Sequence, residues 1–183
     1  MQRTSYPVPA QESERQEALR RYKVLDTPPE ESFDRLTRLA AQLFGVPVAL
    51  ISLIDADRQW HKSCYGFDAR ELSREVSFCA HNLVEDDVMV VQDALADARF
   101  AHNPLVTADP NVRFYAGAPL ITPGGYTLGS LCVLDVTPRT FAAAQQAQLR
   151  DLAAMVMDEL DLRREVAERK RAERALQESE EKY

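Results

Sequence analysis

The stretch VRFYAGAPLITPGGYTLGSLCVLD, residues 112–135, decides the fold of this chain. Its two long apolar runs, residues 112–121 and 127–134, flank a turn that contains Gly124 and Gly125. Gly-Gly between two β-prone runs predicts a hairpin, because glycine adopts the positive φ angles that tight turns require. Both runs are apolar on both faces of the pleat, so we expect the hairpin to lie centrally in a sheet that is covered on both sides.

The hairpin sequence also indicates what covers each face of the sheet. We expect helices on one face, and on the other face loops that enclose a small cavity. Gly117 and Gly129 mark positions where a backbone or a ligand approaches closely. In the second arm, strict alternation places Leu128 on the same face as Cys132 and Leu134. The alternative is a well-buried central hairpin in which no residue has a binding role.

Composition and charge narrow the class of protein. The chain has 183 residues, which fits one domain with an appendage, and its net charge of -7 disfavours binding to nucleic acid or to an anionic membrane. The three cysteines, Cys64, Cys79 and Cys132, lack zinc-binding spacing and are expected to be free thiols in a reducing cytoplasm. The longest apolar run, residues 46–54, is too short to span a membrane, and residues 1–6 do not resemble a signal peptide. We therefore expect a cytoplasmic location.

Hydrophobic periodicity predicts the remaining elements. Residues 14–25 and 30–44 carry apolar side chains at helical spacing, and residues 1–13 are predicted to be flexible because they are polar and contain two prolines. The other predicted elements are strands at 48–54, 59–65 and 88–91, a short helix at 77–84 capped by Ser77, a turn-rich loop at 92–111, and a closing helix that ends near residue 160. Helices segregated on one side of an antiparallel sheet indicate an α+β architecture.

The composition changes abruptly at residue 161. Residues 161–183 contain no glycine or proline and are dominated by Glu, Arg, Lys and Ala. Leu162, Ala172 and Leu176 lie near a heptad seam that Glu165 and Arg169 interrupt. This pattern predicts a long solvated helix that pairs weakly with a second copy of itself; the alternative is a single charged helix that projects from the domain.

In combination, four segments resemble a GAF domain. VALISLIDADRQWHKSCYG is similar to the first hairpin of that family, and SFCAHNLVEDDVMVVQDALADARFAHNPLV to its helix, third strand and cap loop. Residues 112–135 are similar to the final hairpin, and PRTFAAAQQAQLRDLAAMV to the closing helix. The resemblance implies an antiparallel sheet in the order 2-1-5-4-3, with a ligand cavity between the sheet and the loops after strands two and three.

The resemblance also implies a division of the chain and a role for it. A flexible segment at 1–13 precedes a GAF domain at 14–160, and residues 161–183 form a linker helix. Its end, ERKRAERALQESEEKY, resembles the helix that enters a PAS domain in multidomain bacterial sensors. The implied function is a cytoplasmic sensory module that binds an unidentified small molecule, dimerises, or does both. The implied partners are a second copy, bound through residues 14–25 and the closing helix, and a downstream PAS, histidine kinase or cyclase module in the parent protein. No cofactor, metal or nucleic acid is assigned.

Side chains on the predicted short helix, the cap loop and the central strand are the candidate ligand-binding residues. They are Phe78, Cys79, His81, Asp93, Arg99, Asn103, Arg113 and Tyr115, with Asn82, Phe100 and His102 close by in sequence. An enclosed arginine would bind a carboxylate or phosphate through its forked donors, and the aromatic rings would supply apolar contact. Structural roles are the alternative, since Asp93 could cap a turn, Arg99 could pair with Asp97, and Arg113 could end a strand.

Two other functions that occur in the family are disfavoured by the residues present. Bilin-binding members carry a cysteine followed directly by histidine, whereas Ala80 separates Cys79 from His81, so a covalent chromophore is not expected. The subfamily that reduces free methionine sulfoxide uses a cysteine pair with a spacing that this chain lacks. We therefore expect a regulatory domain without catalytic residues. A dimerisation module with a filled cavity remains the alternative to ligand sensing.

Overall fold

The computed structural model of the chain describes residues 6–181. Residues 1–5 of the segment predicted to be flexible, and residues 182–183 of the predicted linker helix, lie outside the described residues. Within the first segment, the ring of Tyr6 lies over the guanidinium group of Arg74, with 4.8 Å between the ring centroid and Cζ. The first helix begins at Glu12, two residues before the predicted start of the domain.

A six-stranded antiparallel sheet forms the centre of the domain, in the order β3-β2-β1-β6-β5-β4. The strands are β1 (Val48–Ile54), β2 (Arg58–Tyr65), β3 (Glu71–Ser73), β4 (Met89–Val91), β5 (Phe114–Ile121) and β6 (Thr127–Asp135). The central hairpin and the implied strand order are confirmed. The edge strand β3 was not predicted, because three residues with a charged first position carry no alternating pattern.

Three longer helices pack on one face of the sheet, and two helices of four residues each lie on the other face. The helices are α1 (Glu12–Arg21), α2 (Glu31–Phe44), α3 (Cys79–Asn82), α4 (Pro104–Thr107) and α5 (Ala143–Glu180). α2 ends at Phe44, and Gly45, with a φ of 61°, forms its left-handed C-cap. α5 is continuous over 38 residues, so the closing helix and the charged tail form one element. Within residues 6–181, no helix is both long enough and apolar enough to cross a membrane.

Alternate residues of the central strands supply two separate cores. On the helical face, Phe114 and Ala116 of β5 join Leu149 and Val156 of α5 in the larger core. On the opposite face, Tyr115 of β5 belongs to a second core. The other side of this core is formed by the cap, which we define as residues 66–112 without the edge strands β3 and β4; α3 is part of the cap. The prediction that the sheet is covered on both faces is therefore confirmed.

One side chain lies on the face opposite to the prediction. Leu128 packs in the larger core together with Leu131, whereas strict alternation would place the two on opposite faces. The cause is a register shift, because Leu120 pairs with Gly129 and Ile121 pairs with Thr127. The extra residue in β6 is a bulge, which reverses the alternation locally.

Candidate functional site

A small cavity lies between the sheet and the cap. Its volume is about 50 Å³. Apolar side chains of β1, β5, β6 and the cap supply most of its wall, including Leu50, Phe67, Phe78, Leu105, Val112 and Leu134. Tyr115 of β5, Cys79 of α3 and Cys132 of β6 also line the cavity. The cavity is therefore where the resemblance places it, and its surface is mainly apolar.

The polar groups in the cavity wall are already bonded to protein. Gln59 donates from Nε2 to Ser52 Oγ at 3.2 Å, and its Oε1 accepts a short hydrogen bond from Ser77. Asp135 accepts from Arg139 Nε at 2.5 Å and from the backbone N–H of Val136 at 2.7 Å. A ligand in this cavity thus meets apolar surface and few free donors or acceptors.

Tyr115 anchors a buried polar cluster between the central strand and α3. Its hydroxyl donates to Asn82 Oδ1 at 2.5 Å and lies 3.3 Å from Ser130 Oγ. Asn82 Nδ2 donates to the Gly117 carbonyl oxygen at 3.0 Å, which fixes the orientation of the amide. Gly117 has no room for a side chain, since a Cβ would lie 2.5 Å from Asn82 Oδ1. The close approach expected at Gly117 occurs, but the approaching groups are the side chains of Tyr115 and Asn82 rather than the expected backbone or ligand.

An aromatic stack joins α3 to the cap loop. Phe78 and Phe100 stack with ring centroids 4.1 Å apart, and His81 meets the edge of Phe100 at 4.7 Å. Burial lowers the pKa of His81, and its Nδ1 lies 3.3 Å from the Ser77 carbonyl oxygen. His81 does not line the cavity. The predicted cap of this helix is confirmed, because Ser77 Oγ accepts from the Ala80 N–H at 2.9 Å.

Arg113, the predicted arginine anchor, does not line the cavity. Its guanidinium forms a bidentate pair with Asp93, at 2.8 and 2.9 Å, and about 30% of each side chain is exposed. Asp93 Oδ1 also caps a turn by accepting from the Leu95 N–H at 3.1 Å. Hydrogen bonds from Arg113 lower the pKa of Asp93. These two residues therefore satisfy each other at the surface.

Arg99 and Asn103 also have structural partners. Arg99 pairs with Asp97 at 2.7 Å. Asn103 Oδ1 caps α4 by accepting from the Leu105 N–H at 2.9 Å, while its Nδ2 donates to the Val76 carbonyl oxygen at 3.0 Å. Of the eight predicted residues, only Phe78, Cys79 and Tyr115 line the cavity. His81, Asp93, Arg99, Asn103 and Arg113 do not, which corrects the prediction that all face one space.

The buried histidine has no free ring nitrogen. His61 Nδ1 lies 2.8 Å from the Ala69 carbonyl oxygen, and its Nε2 lies 2.8 Å from Gln59 Nε2. Burial lowers the pKa of His61 to about 4. No cluster of three or more His, Cys, Asp or Glu side chains that could hold a metal ion occurs in residues 6–181.

A second polar cluster lies where α5 leaves the domain. Glu30 Oε2 accepts from Lys62 Nζ at 2.5 Å and from Arg163 Nε of α5 at 2.8 Å. The Lys62 side chain is fully buried, and its other hydrogen bonds go to Thr27 Oγ1 and the Pro28 carbonyl oxygen. Burial raises the pKa of Glu30, but the hydrogen bonds from Lys62 and Arg163 outweigh it and lower the pKa overall. We call Glu30, Lys62 and Arg163 the α5 junction.

Comparison with known proteins identifies the family. Residues 28–160 match the family model for the GAF domain. A cyclic di-GMP phosphodiesterase of Pseudomonas aeruginosa is 41% identical over 152 residues, which are 82% of this chain and 26% of that protein. The chain thus spans about a quarter of the length of this relative.

Solved structures with the same fold include GAF domains and an enzyme. The GAF domain of Acinetobacter phosphoenolpyruvate-protein phosphotransferase has a TM-score of 0.61 at 18% identity, covering 85% of this chain and 98% of that one. A free methionine-R-sulfoxide reductase from Neisseria meningitidis has a TM-score of 0.61 at 15% identity, covering 91% and 99%. These identities show the fold alone. Since the family model covers more than half of the sequence, the chain belongs to the GAF domain family.

Proposed function

We propose that this chain is a sensory GAF domain that binds a small uncharged molecule in its apolar cavity and reports the binding through α5. The observation that carries the proposal is the cavity itself, about 50 Å³ in volume, between a rigid sheet and the cap. Its wall has no charged group free for a ligand, because Asp135 is paired with Arg139. The ligand class is therefore a compact apolar molecule rather than the carboxylate or phosphate that an enclosed arginine would bind.

Filling the cavity with a larger side chain is expected to weaken the binding of a small apolar molecule. In Val112→Phe the added ring occupies the cavity, so xenon binding, followed by ¹²⁹Xe NMR, is expected to weaken by about tenfold or more. The matched control is Val84→Phe, because Val84 is 49% exposed and does not line the cavity. Equal xenon binding by the two variants, or binding of acetate but not of xenon by the native chain, would contradict the proposal. Native mass spectrometry of the purified chain is the measurement that would identify a small molecule retained in the cavity.

The proposed route of transmission is the α5 junction. A change in the cap displaces the sheet against the helical layer, and Lys62 on β2 shares Glu30 with Arg163 on α5. Beside the junction, the Tyr22 hydroxyl donates to Asp161 Oδ1 of the same helix at 2.6 Å. A continuous helix held at these points transmits a shift of the domain as rotation or translation of its free end.

The output of this route lies in another module of the parent protein, and the chain itself is proposed to have no catalytic role. The candidate outputs are a PAS domain, a histidine kinase or a cyclase. The phosphodiesterase name of the Pseudomonas relative adds cyclic di-GMP hydrolysis to this set. We place the chain in the cytoplasm, as its free thiols favour.

A second candidate function is dimerisation, and exposed apolar side chains on the helical layer favour it. Leu39 and Leu43 of α2, and Met155, Leu162 and Val166 of α5, are each between 42% and 53% exposed. They lie on the sides of their helices away from Thr37, which makes a buried contact with Ser63 of β2, and from Arg150, which pairs with Asp87. We propose this groove between α2 and α5 as the interface with a second copy. Apolar side chains of α1 are buried in their own domain, so α1 is a weaker candidate.

Charges placed in the groove are expected to dissociate the dimer. Sedimentation velocity at micromolar concentration is expected to show a dimer for the native chain and a monomer for Leu162→Asp/Val166→Asp, because each carboxylate would lose water at the interface. Leu95→Asp/Val84→Asp is the control, since both residues are similarly exposed but lie on the cap side. A monomeric native chain, or equal dissociation of the control, would rule out this interface.

A further inference from the structure

Two thiols from distant parts of the chain meet beside the cavity. Cys79 Sγ on α3 lies 3.6 Å from Cys132 Sγ on β6, and both side chains are almost completely buried. A disulfide has a sulfur–sulfur distance of about 2.05 Å, so the two atoms need to approach by about 1.5 Å. The sequence does not indicate that these two thiols are in contact, because 53 residues separate them.

The surroundings of the pair distinguish the two sulfur atoms. Burial raises the pKa of Cys79, but hydrogen bonds from Cys132, Ser130 and Tyr115 outweigh it and lower the pKa to about 7. Burial and the neighbouring Cys79 raise the pKa of Cys132. The Tyr115 hydroxyl lies 2.5 Å from Asn82 Oδ1 and 3.3 Å from Cys79 Sγ, so it can donate to either atom, and Cys79 Sγ is also within hydrogen-bonding distance of Cys132 Sγ. Cys79 is therefore the better nucleophile and Cys132 is placed to resolve it.

The cavity gives a small molecule a way to reach these buried sulfurs. Cys79 and Cys132 both line it, next to Leu50, Tyr115 and Leu134. A small uncharged oxidant suits this apolar path, whereas charged disulfides such as oxidised glutathione do not. The third thiol differs, because burial raises the pKa of Cys64 to about 11, which makes it a poor nucleophile.

We propose that Cys79 and Cys132 are an oxidation site, at which a small hydroperoxide converts the two thiols into a reversible disulfide. The Cys79 thiolate attacks the peroxide oxygen and becomes a sulfenic acid, while hydroxide leaves and takes up a proton. Cys132 then attacks the Cys79 sulfur, the sulfur–sulfur bond forms, and the sulfenic hydroxyl leaves as water with the Cys132 proton. In total, one hydrogen peroxide and two thiols give one disulfide and two waters. A dithiol reductant reverses the oxidation by thiol–disulfide exchange.

The disulfide would join the cap to the centre of the sheet. α3 belongs to the cap and carries Cys79, while β6 lies between β1 and β5 and carries Cys132. A covalent bond at this point crosses the floor of the cavity and holds α3 against the sheet. Oxidation therefore restricts the element whose movement would admit a ligand, and it does so whether or not the cavity has a natural ligand.

The test is hydrogen peroxide treatment of the native chain, followed by peptide mass spectrometry without reduction. We expect two of the three thiols to disappear, a Cys79–Cys132 cross-linked peptide with a loss of two hydrogen atoms, and full recovery with dithiothreitol. Cys64→Ser is the matched control and is expected to form the same cross-link. In Cys132→Ala, Cys79 is expected to stop at the sulfenic acid and to react with dimedone.

Several results would overturn the proposal, and each is measurable in the native chain without any variant. They are an absence of reaction, oxidation of Cys64 before the other two thiols, and direct conversion of Cys79 to sulfinic acid without a cross-link. A cross-link that includes Cys64 would also overturn it. None of these outcomes depends on whether xenon binds, so the oxidation site and the proposed ligand cavity are tested separately.

Discussion

Replacing Gly129 by alanine is expected to lower the free energy of unfolding by about 3 kcal/mol or more. Gly129 lies in β6 opposite Leu53 of β1, at the centre of the sheet. A Cβ at this position would overlap the Ser52 carbonyl oxygen and lie 2.8 Å from its carbonyl carbon and 2.9 Å from Leu53 Cα. These are backbone atoms of the neighbouring strand, so relief of the clash requires β1 and β6 to move apart.

The control for this prediction is Gly124→Ala in the turn of the same hairpin. The nearest atoms to a Cβ there are in the Tyr126 ring, at an ordinary 3.6 Å, and Thr122 Oγ1 follows at 3.8 Å. We expect a change within about 0.5 kcal/mol in urea unfolding, because the site is exposed and needs no positive φ. Similar stability of the two variants would show that the β1–β6 ladder tolerates a side chain, contrary to the geometry.

The close approach at Gly129 was predictable, whereas the face of the sheet on which the neighbouring Leu128 lies was not. A glycine inside an apolar strand indicates tight backbone packing whatever the partner is. The position of Leu128 depended on a bulge, and a bulge is set by how two strands pair rather than by the residues of one of them. The apolar runs on both faces predicted the central position of the hairpin, whereas the strand order came from the resemblance alone.

The candidate site was harder to predict because its chemistry is apolar. Polar residues attracted attention in the sequence, but Arg113 has a local acidic partner and Asn103 caps a helix. Residues that line the cavity, such as Leu50 and Leu134, have the same side-chain chemistry as the core, so no sequence signal separates the two groups. The space itself arises from tertiary packing, as does the contact between Cys79 and Cys132.

Acid is expected to weaken the domain well before its carboxylates titrate, and His61 is the reason. Burial lowers the pKa of His61 to about 4 in the folded chain, from a value of 6.5 when it is exposed. The unfolded chain therefore binds more protons between these two values, and stability is fully present above pH 6.5 and is lost as the pH falls toward 4. From pH 7 to 4.5 the predicted loss from this residue is about 2.5 kcal/mol.

Carboxylates act in a lower pH range. Burial raises the pKa of Glu12, but hydrogen bonds from Arg15, Arg74 and Gln16 outweigh it and lower the pKa from 4.5 to about 2. The stability that Glu12 contributes is present above 4.5 and is lost as the pH falls through 2. The change in the free energy of unfolding between pH 7 and 4.5, measured with urea, therefore reports mainly on the histidines.

His61→Gln separates the contribution of the buried histidine from that of the others. Glutamine keeps hydrogen-bonding atoms near Gln59 and the Ala69 carbonyl oxygen but does not titrate, so this variant is expected to lose about 2.5 kcal/mol less than the native chain between pH 7 and 4.5. His81→Gln is the control, because His81 is only partly buried and is expected to leave most of the pH dependence in place. If His61→Gln lost as much stability as the native chain, His61 would not be the group that takes up the proton. If His81→Gln removed the dependence instead, protonation on the cap side, beside the ring of Phe100, would be what destabilises the fold in acid.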